Sequence, residues 1–279
     1  CDWCAENNVM YLNTGDADWP DDWLNIFRQH KSIRAIRDKH RQNPRTNRHP
    51  IVLQHGNNPG LVSHFVKAGL AYIAATQHKR DKALKTLLRQ NQYNQAARRL
   101  GVRMIHVNDI DLQQIRHPRG SNALVNTWCI DSFLFEALSE ATVNLGTHEA
   151  VDCGHACKLL DLEQGFLELE QLAAATKCRT YYPGGPFEGF LIPHEETVPL
   201  AKGLEVVQSG GPVSRPTVMC WYAPCHAARA YVAGARVNDY PRPDPAKHPD
   251  GVNEKGQTII RGYLYPENAE IAYREHLAG

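Results

Sequence analysis

Apolar and polar positions follow two rhythms along this chain, and each rhythm predicts an element. Short continuous apolar runs bounded by turn residues read as buried strands. Val9 to Leu12 is the first such run, and Pro50 to Gln54 is the second. Between them, Asp21 to Lys39 has helical spacing with a basic outer face. Pro59 stands where proline opens a helix, and Leu61, Val62, Phe65, Val66, Leu70 and Ile73 then recur along one helical face. Asp81 to Leu100 predicts a second helix there, closed near Gly101. Strands are predicted at Val102 to Val107 and Ala123 to Trp128, followed by a helix over Ile130 to Leu138 with Gly146 beyond it. Further strands fall at Gly189 to Ile192 and Thr217 to Tyr222, and Pro224 opens a helix through Val232. Asn238 to Gly256 is rich in Pro and Asp and reads as loop. This mixture predicts an α/β protein with an α+β portion.

Composition changes the picture mainly by exclusion. The chain has 279 residues, 42% hydrophobic and 22% charged, which suffices for a sizeable core in one large domain or two smaller ones. A net charge of +1 lacks the basic excess of a nucleic-acid binder. No apolar run approaches the roughly 18 residues of a membrane span. The stretch from Cys1 to Trp23 is polar and acidic, unlike a signal peptide. The first residue is Cys and the opening reads as the end of a helix, so an internal fragment of a longer chain is expected. The eight cysteines are expected as reduced thiols in the cytoplasm. Cys1 with Cys4, and Cys153 with His155 and Cys157, have half the ligands of a zinc site, and neither has a partner pair at finger or ribbon spacing. No metal site is predicted.

Charge is unevenly spread. Phe27 to Pro50 carries eight Lys or Arg against one acid, as a solvated helix face does. Cys129 to Gly210 carries thirteen acids against four bases. That excess is either plain solvated surface or a setting for a small cationic substrate.

The chain lacks the GxGxxG, GxxxxGK[ST], HExxH and GxSxG motifs. Three constellations remain. His55-Gly56-Asn57-Asn58-Pro59-Gly60 joins a predicted strand to a predicted helix, where α/β proteins bind ligands at the carboxyl end of a strand. The same residues also make a plain Asn-Pro-Gly turn into a helix. His194-Glu195-Glu196 follows a strand; if the strand continues past Pro193, His194 and Glu196 share a face and suit proton transfer. Alternatively, the run leads into a helix N-terminus, where Glu is favoured. Trp128 ends a strand and Glu136 follows on a helix. A Trp face attracts an ammonium by about 1–2 kcal/mol when desolvated, and a carboxylate adds hydrogen bonds. A core Trp beside a surface Glu fits the pattern equally.

Taken in order, these segments resemble the bacterial homospermidine synthase family. Tyr11-Leu12-Asn13-Thr14 with Trp19 resembles its first strand and following Trp. Asn58-Pro59-Gly60-Leu61-Val62-Ser63 with Phe65-Val66-Lys67 resembles its NPGxVSxFVK block. Ile105-His106 with Asp109 resembles IHIxERD, and Asn126-Thr127-Trp128 with Phe133 and Glu136 resembles NTWS…F…E. Gly146-Thr147 with Glu149, Gly189-Phe190-Leu191 with His194 and Glu196, and Arg215-Pro216-Thr217 with Tyr222, Pro224 and Cys225 continue the series. The blocks span Tyr11 to Cys225.

The resemblance implies the end of a Rossmann-type nucleotide-binding domain over residues 1–55, followed by an α+β catalytic domain over residues 56–279, incomplete at its C-terminus. It implies a cytoplasmic homodimer with bound NAD that moves an aminobutyl group between diamines through imines, making homospermidine from putrescine or spermidine. By the same resemblance, Trp128 holds an ammonium, Glu136 binds an amine end or takes its proton, and His194 and Glu196 position substrate and manage protons. Asn58 lies beside nicotinamide and substrate, and Thr14 and Pro59 lie near the cofactor. Asp109 stands at a family Glu, one carbon shorter. A further family Glu, before the first Trp, is replaced by Ala17, with Asp16 or Asp18 standing in as the amine contact. The family's GxGxxG half would precede Cys1, so the isolated chain is expected to be inactive. Two other readings are a saccharopine- or carboxynorspermidine-dehydrogenase-like reductive condensation and a non-catalytic polyamine-binding remnant.

Overall fold

A computed structural model describes residues 1–14, 26–41, 49–56, 59–113, 125–128, 133, 136–137, 139–150, 157–161, 165–182, 184–226 and 228–229, with short strands between 251 and 271. The chain forms two compact units interleaved in sequence. The first comprises Cys1–Val107, Val143–Glu168 and His194–Met219; the second comprises Asn108–Thr142, Leu169–Pro193 and Cys220–Gly279.

The first unit opens with α1 (Asp2–Glu6) and β1 (Tyr11–Leu12), followed by α2 (Ile26–Arg41) and β2 (Ile51–Val52). β1 and β2 are parallel, with Tyr11 opposite Ile51 and Leu12 opposite Val52. A parallel pair needs a crossover, and the segment carrying α2 lies between the two strands. Lys39 on α2 pairs with Asp2 and Glu6 on α1 at 2.9 Å each.

Three helices follow: α3 (Leu61–Gln77), α4 (Lys82–Arg89) and α5 (Tyr93–Arg99). The single helix predicted over Asp81 to Leu100 is therefore two. Asp81 caps α4 by accepting the Leu84 N–H at 3.0 Å. Asn91 adopts a left-handed conformation, φ 57°, which Asn tolerates better than most residues. The break lets Leu84 of α4 and Ala96 of α5 close around Ala74 of α3. Of the apolar positions predicted for α3, Leu70 is buried with Ala97 and Leu204, whereas Phe65 is 63% exposed.

The remaining elements are β3 (Met104–Ile110), β4 (Val125–Asn126), β5 (Glu140–Asn144), β6 (Cys157–Asp161), β7 (Phe166–Leu172), β8 (Lys177–Tyr182), β9 (Gly185–Leu191), α6 (Thr197–Gly203), β10 (Val206–Gln208), β11 (Gly211–Ser214) and β12 (Thr217–Ala223). Phe133, Glu136 and Ala137 are helical, as predicted for Ile130 to Leu138. The main sheet runs β6-β7-β5-β12-β9-β8, with β3 also against β12. Within the first unit β12 pairs antiparallel with β5, Val218 opposite Asn144. Within the second it pairs with β9, Trp221 opposite Leu191 and Tyr222 opposite Phe190. The second unit also contains β13 (Gly251–Val252), β14 (Thr258–Ile260), β15 (Tyr263–Leu264) and β16 (Glu270–Ile271). β13 lies inside the stretch predicted as loop, because it is paired with β14. Among the described residues no helix is long and apolar enough to cross a membrane.

Cys1, Cys4, Cys178, Cys220 and Cys225 are thiols outside any disulfide, as expected. Cys157 is not: it is disulfide-bonded. Spacing along the chain does not encode which thiols approach each other, so this bond has no local signal. A bonded sulfur supplies no thiolate, which removes Cys157 from the half-zinc pattern.

One buried ion pair braces the first unit. Arg215 is 5% exposed; its guanidinium donates to the Leu145 carbonyl and to Glu205, both at 2.9 Å. Lys202 also reaches Glu205, at 3.0 Å. Removing one partner of a buried pair leaves the other uncompensated. Glu205→Ala is expected to lower stability by about 3 kcal/mol in urea denaturation.

Candidate active site

In the first unit the parallel pair continues beyond its strands, with Asn13 donating to Val52 at 2.9 Å and His55 to Asn13 at 3.1 Å. This brings the end of β1 against the turn after β2. A Cβ on Gly56 would run into the Thr14 carbonyl, so the two segments approach closer than any side chain allows. Gly56 donates to the Pro59 carbonyl at 2.7 Å. Gly60 has φ +127°, and a Cβ there would lie 2.6 Å from the Gln54 carbonyl oxygen and 2.8 Å from the Gly56 nitrogen. Glycine is thus demanded twice by the backbone itself.

This turn aims the Gly60 N–H at Glu196, 2.9 Å from Oε1. The other oxygen of Glu196 meets Nδ1 of His194 in an ion-pair contact. Glu195 Oε2 lies 3.6 Å from the same nitrogen. All three side chains are buried. His194 and Glu196 do not meet on a continued strand. β9 stops at Leu191, and the residues sit in the turn entering α6, where Thr197 Oγ1 donates to the His194 carbonyl at 2.9 Å. Thr14, Pro59, His194 and Glu196 therefore belong to one connected constellation. Asn58 lies outside the described residues, as do Asp16, Asp18, Ala17 and Trp19.

Burial pushes the Glu196 carboxyl upward, but the His194 hydrogen bond and charge, with the Gly60 N–H, outweigh it and hold it below its ordinary 4.5. A carboxylate on Nδ1 selects the tautomer with its lone pair on Nε2, the form suited to accept a proton.

In the second unit Trp128, Tyr222 and Phe133 pack edge-to-face, with centroid separations of 6.1 Å for Trp128–Tyr222 and 6.3 Å for Trp128–Phe133 and Phe133–Tyr222. The Trp128 indole N–H donates to the Tyr222 hydroxyl at 2.8 Å. Burial, reinforced by the negative charges of Asp111, Asp109 and Glu136, drives the Tyr222 hydroxyl far above its ordinary pKa, against the Trp128 hydrogen bond. The three carboxylates thus share the surroundings of one ring. Trp128, Asp109 and Glu136, singled out in the sequence, are brought together here. Asp111, Tyr222 and Phe133 were not given roles. Asp109 and Asp111 stand two apart on an extended segment, hence on one face, and that spacing was the available signal. Asp111 is held by the Gln113 N–H at 2.9 Å and by the Thr127 hydroxyl, so both of its oxygens are engaged.

No protein-family model matches the chain. It is 31% identical over 244 residues to the homospermidine synthase of Blastochloris viridis, which covers 80% of this chain and 48% of that protein. It is 26% identical over 295 aligned positions to the homospermidine synthase of Mesorhizobium japonicum, covering 99% and 60%. The crystal structure of the Legionella pneumophila homospermidine synthase, in complex with NAD, superposes with a TM-score of 0.67 at 28% identity, over 85% of this chain and 50% of that one. The chain is a homologue of the homospermidine synthases. It spans about half the length of these relatives. Its mixed helices and sheets fit the α/β class predicted for a homospermidine synthase relative.

Two outcomes test the first-unit constellation. The lowered Glu196 pKa contributes stability above about pH 4.5 that is lost as pH falls below it. Glu196→Gln is expected to flatten the acid limb of a stability–pH curve in that range. Gly60→Ala is expected to cost more than about 2 kcal/mol in thermal denaturation, because the backbone has no room for the methyl group.

Proposed function

We propose that this chain contains the amine site and proton-transfer residues of an NAD-dependent aminobutyl transferase that makes homospermidine from putrescine or spermidine. The observation that carries this reading is the grouping of Trp128 with Asp109 and Glu136 around Tyr222 in the second unit. An aromatic face with several carboxylates suits a diamine dication. A dehydrogenase that must grip a substrate carboxylate would need a cation instead, and among the described residues the charges that act on Tyr222 are those of Asp111, Asp109 and Glu136. In this reading Trp128 holds one ammonium and Glu136 and Asp109 hydrogen-bond to amine ends.

An amine bound as its ammonium must lose a proton before its nitrogen reacts. In the first unit His194, its tautomer set by Glu196, is suited to accept and return a proton, and buried Glu196 would keep the imidazolium paired. The residues after the parallel strands fit a dinucleotide. Thr14 follows one strand and Pro59 and Gly60 follow the other, with Gly56 packed against the Thr14 carbonyl. Thr14, Asn58 and Pro59 would hold the nicotinamide end. NAD bound there supplies the acceptance and return of a hydride. The reading also assigns residues 1–55 to the end of the nucleotide domain and residues 56–279 to the catalytic part, in a cytoplasmic homodimer.

The test is incubation of the protein carrying this chain with NAD and putrescine, followed by mass spectrometry. Homospermidine and ammonia without accumulating NADH are expected. Net NADH turnover with a keto or aldehyde partner, without homospermidine, would overturn the assignment. His194→Ala is expected to lower kcat by about 10²–10⁴-fold.

A further inference from the structure

We propose that Tyr222 is a positioning residue of the amine site: by accepting the Trp128 indole N–H, its hydroxyl fixes the plane of the ring that receives the ammonium. The inference rests on the reading of Trp128 as that ring.

A cation–π contact depends on where the ring face points, since the attraction lies over the face and reverses at the edge. A Trp side chain turning about its two torsions presents face or edge unless something holds the indole N–H. Here the holder is Tyr222, 2.8 Å away and 4% exposed. Tyr222 is itself fixed by its strand. It lies in β12 directly opposite Phe190 of β9, and its ring packs edge-on against Phe133. The backbone beneath the indole is pinned separately, by the Thr127 hydroxyl on Asp111, whose own N–H donates to the Ala223 carbonyl at 2.9 Å. Two neighbouring residues on β12, Tyr222 and Ala223, thus anchor the Thr127–Trp128 segment. The neutral phenol suits this role, because a phenolate among three carboxylates would add a fourth negative charge in a buried setting.

The experiment uses Tyr222→Phe, Trp128→Phe and the double variant, with spermidine as titrant in isothermal calorimetry. Near-UV circular dichroism and Tm of each protein confirm folding. Both single changes keep an aromatic ring and remove one end of the same hydrogen bond. Tyr222→Phe is expected to weaken spermidine about fivefold, and to move the Trp128 indole N–H resonance and expose it to solvent exchange. Trp128→Phe is expected to weaken binding about tenfold or more. In the Trp128→Phe background, Tyr222→Phe is expected to add nothing, because the hydrogen bond through which it acts is already gone. A merely structural Tyr222 would instead give additive losses. Additive losses, or an unchanged affinity for Tyr222→Phe beside a weakened Trp128→Phe, would overturn the role of Tyr222 and leave the amine site standing. An unchanged affinity for Trp128→Phe would overturn the amine site and the role of Tyr222 with it.

Discussion

A single hydrogen bond, from the Gly60 N–H to the Glu196 carboxylate, joins every part of the first-unit constellation. The donor exists in that direction only because Gly60 takes a φ closed to side chains, and Gly56 permits contact with the Thr14 carbonyl. The acceptor's pKa is held below its ordinary value, against burial, by His194 and by that N–H. Glycines at the turn, a carboxylate at the entry to α6 and an imidazole two residues earlier therefore form one unit. This is how a backbone constraint becomes an electrostatic one.

The second unit solves a different problem. Several carboxylates brought close together repel one another. The structure meets this by engaging both oxygens of Asp111 internally, through Gln113 and Thr127. The negative field around Tyr222 is then partly structural and partly available chemistry. The aromatic triad of Trp128, Phe133 and Tyr222 supplies shape, while the acids supply sign. A cation would satisfy both, which is the ground for proposing the grouping as an amine site.

Much of this was legible in the sequence, for definite reasons. β1, β2, β9 and β12 are apolar runs or end in them, and α3 keeps helical periodicity, so their hydrophobic pattern announces them. β7, with sequence FLELEQL, alternates in the manner of a half-exposed strand, yet its acids read as surface charge. β5, β6 and β8 mix polar and apolar residues, and pairing with neighbours, not local pattern, makes them strands. The break at Asn91 was hidden because helical spacing runs straight through it. His194 with Glu196, and Trp128 with Glu136, were recognisable by residue type and order. Their geometry was not: the first pair meets through a turn rather than along a strand. Tyr222 stood inside a matched block without a role, because nothing local shows that its hydroxyl faces an indole 94 residues away.

The interleaving of the two units bears on how the chain acquires its structure. Gly60 and Glu196 are 136 residues apart in sequence. At the usual pace of synthesis, about 5–20 residues per second, the turn waits roughly 7–27 s for its acceptor. Over that interval α3, α4 and α5 can close their own local contacts, but the backbone donor at Gly60 must rely on water. β12 is later still, and both units draw strands from it. Folding of either unit to completion is therefore deferred to the last third of the described chain, a high-contact-order route in which late residues ratify early ones. A ribosome pausing before Thr217 would hold a nascent chain with helices formed and neither sheet half closed.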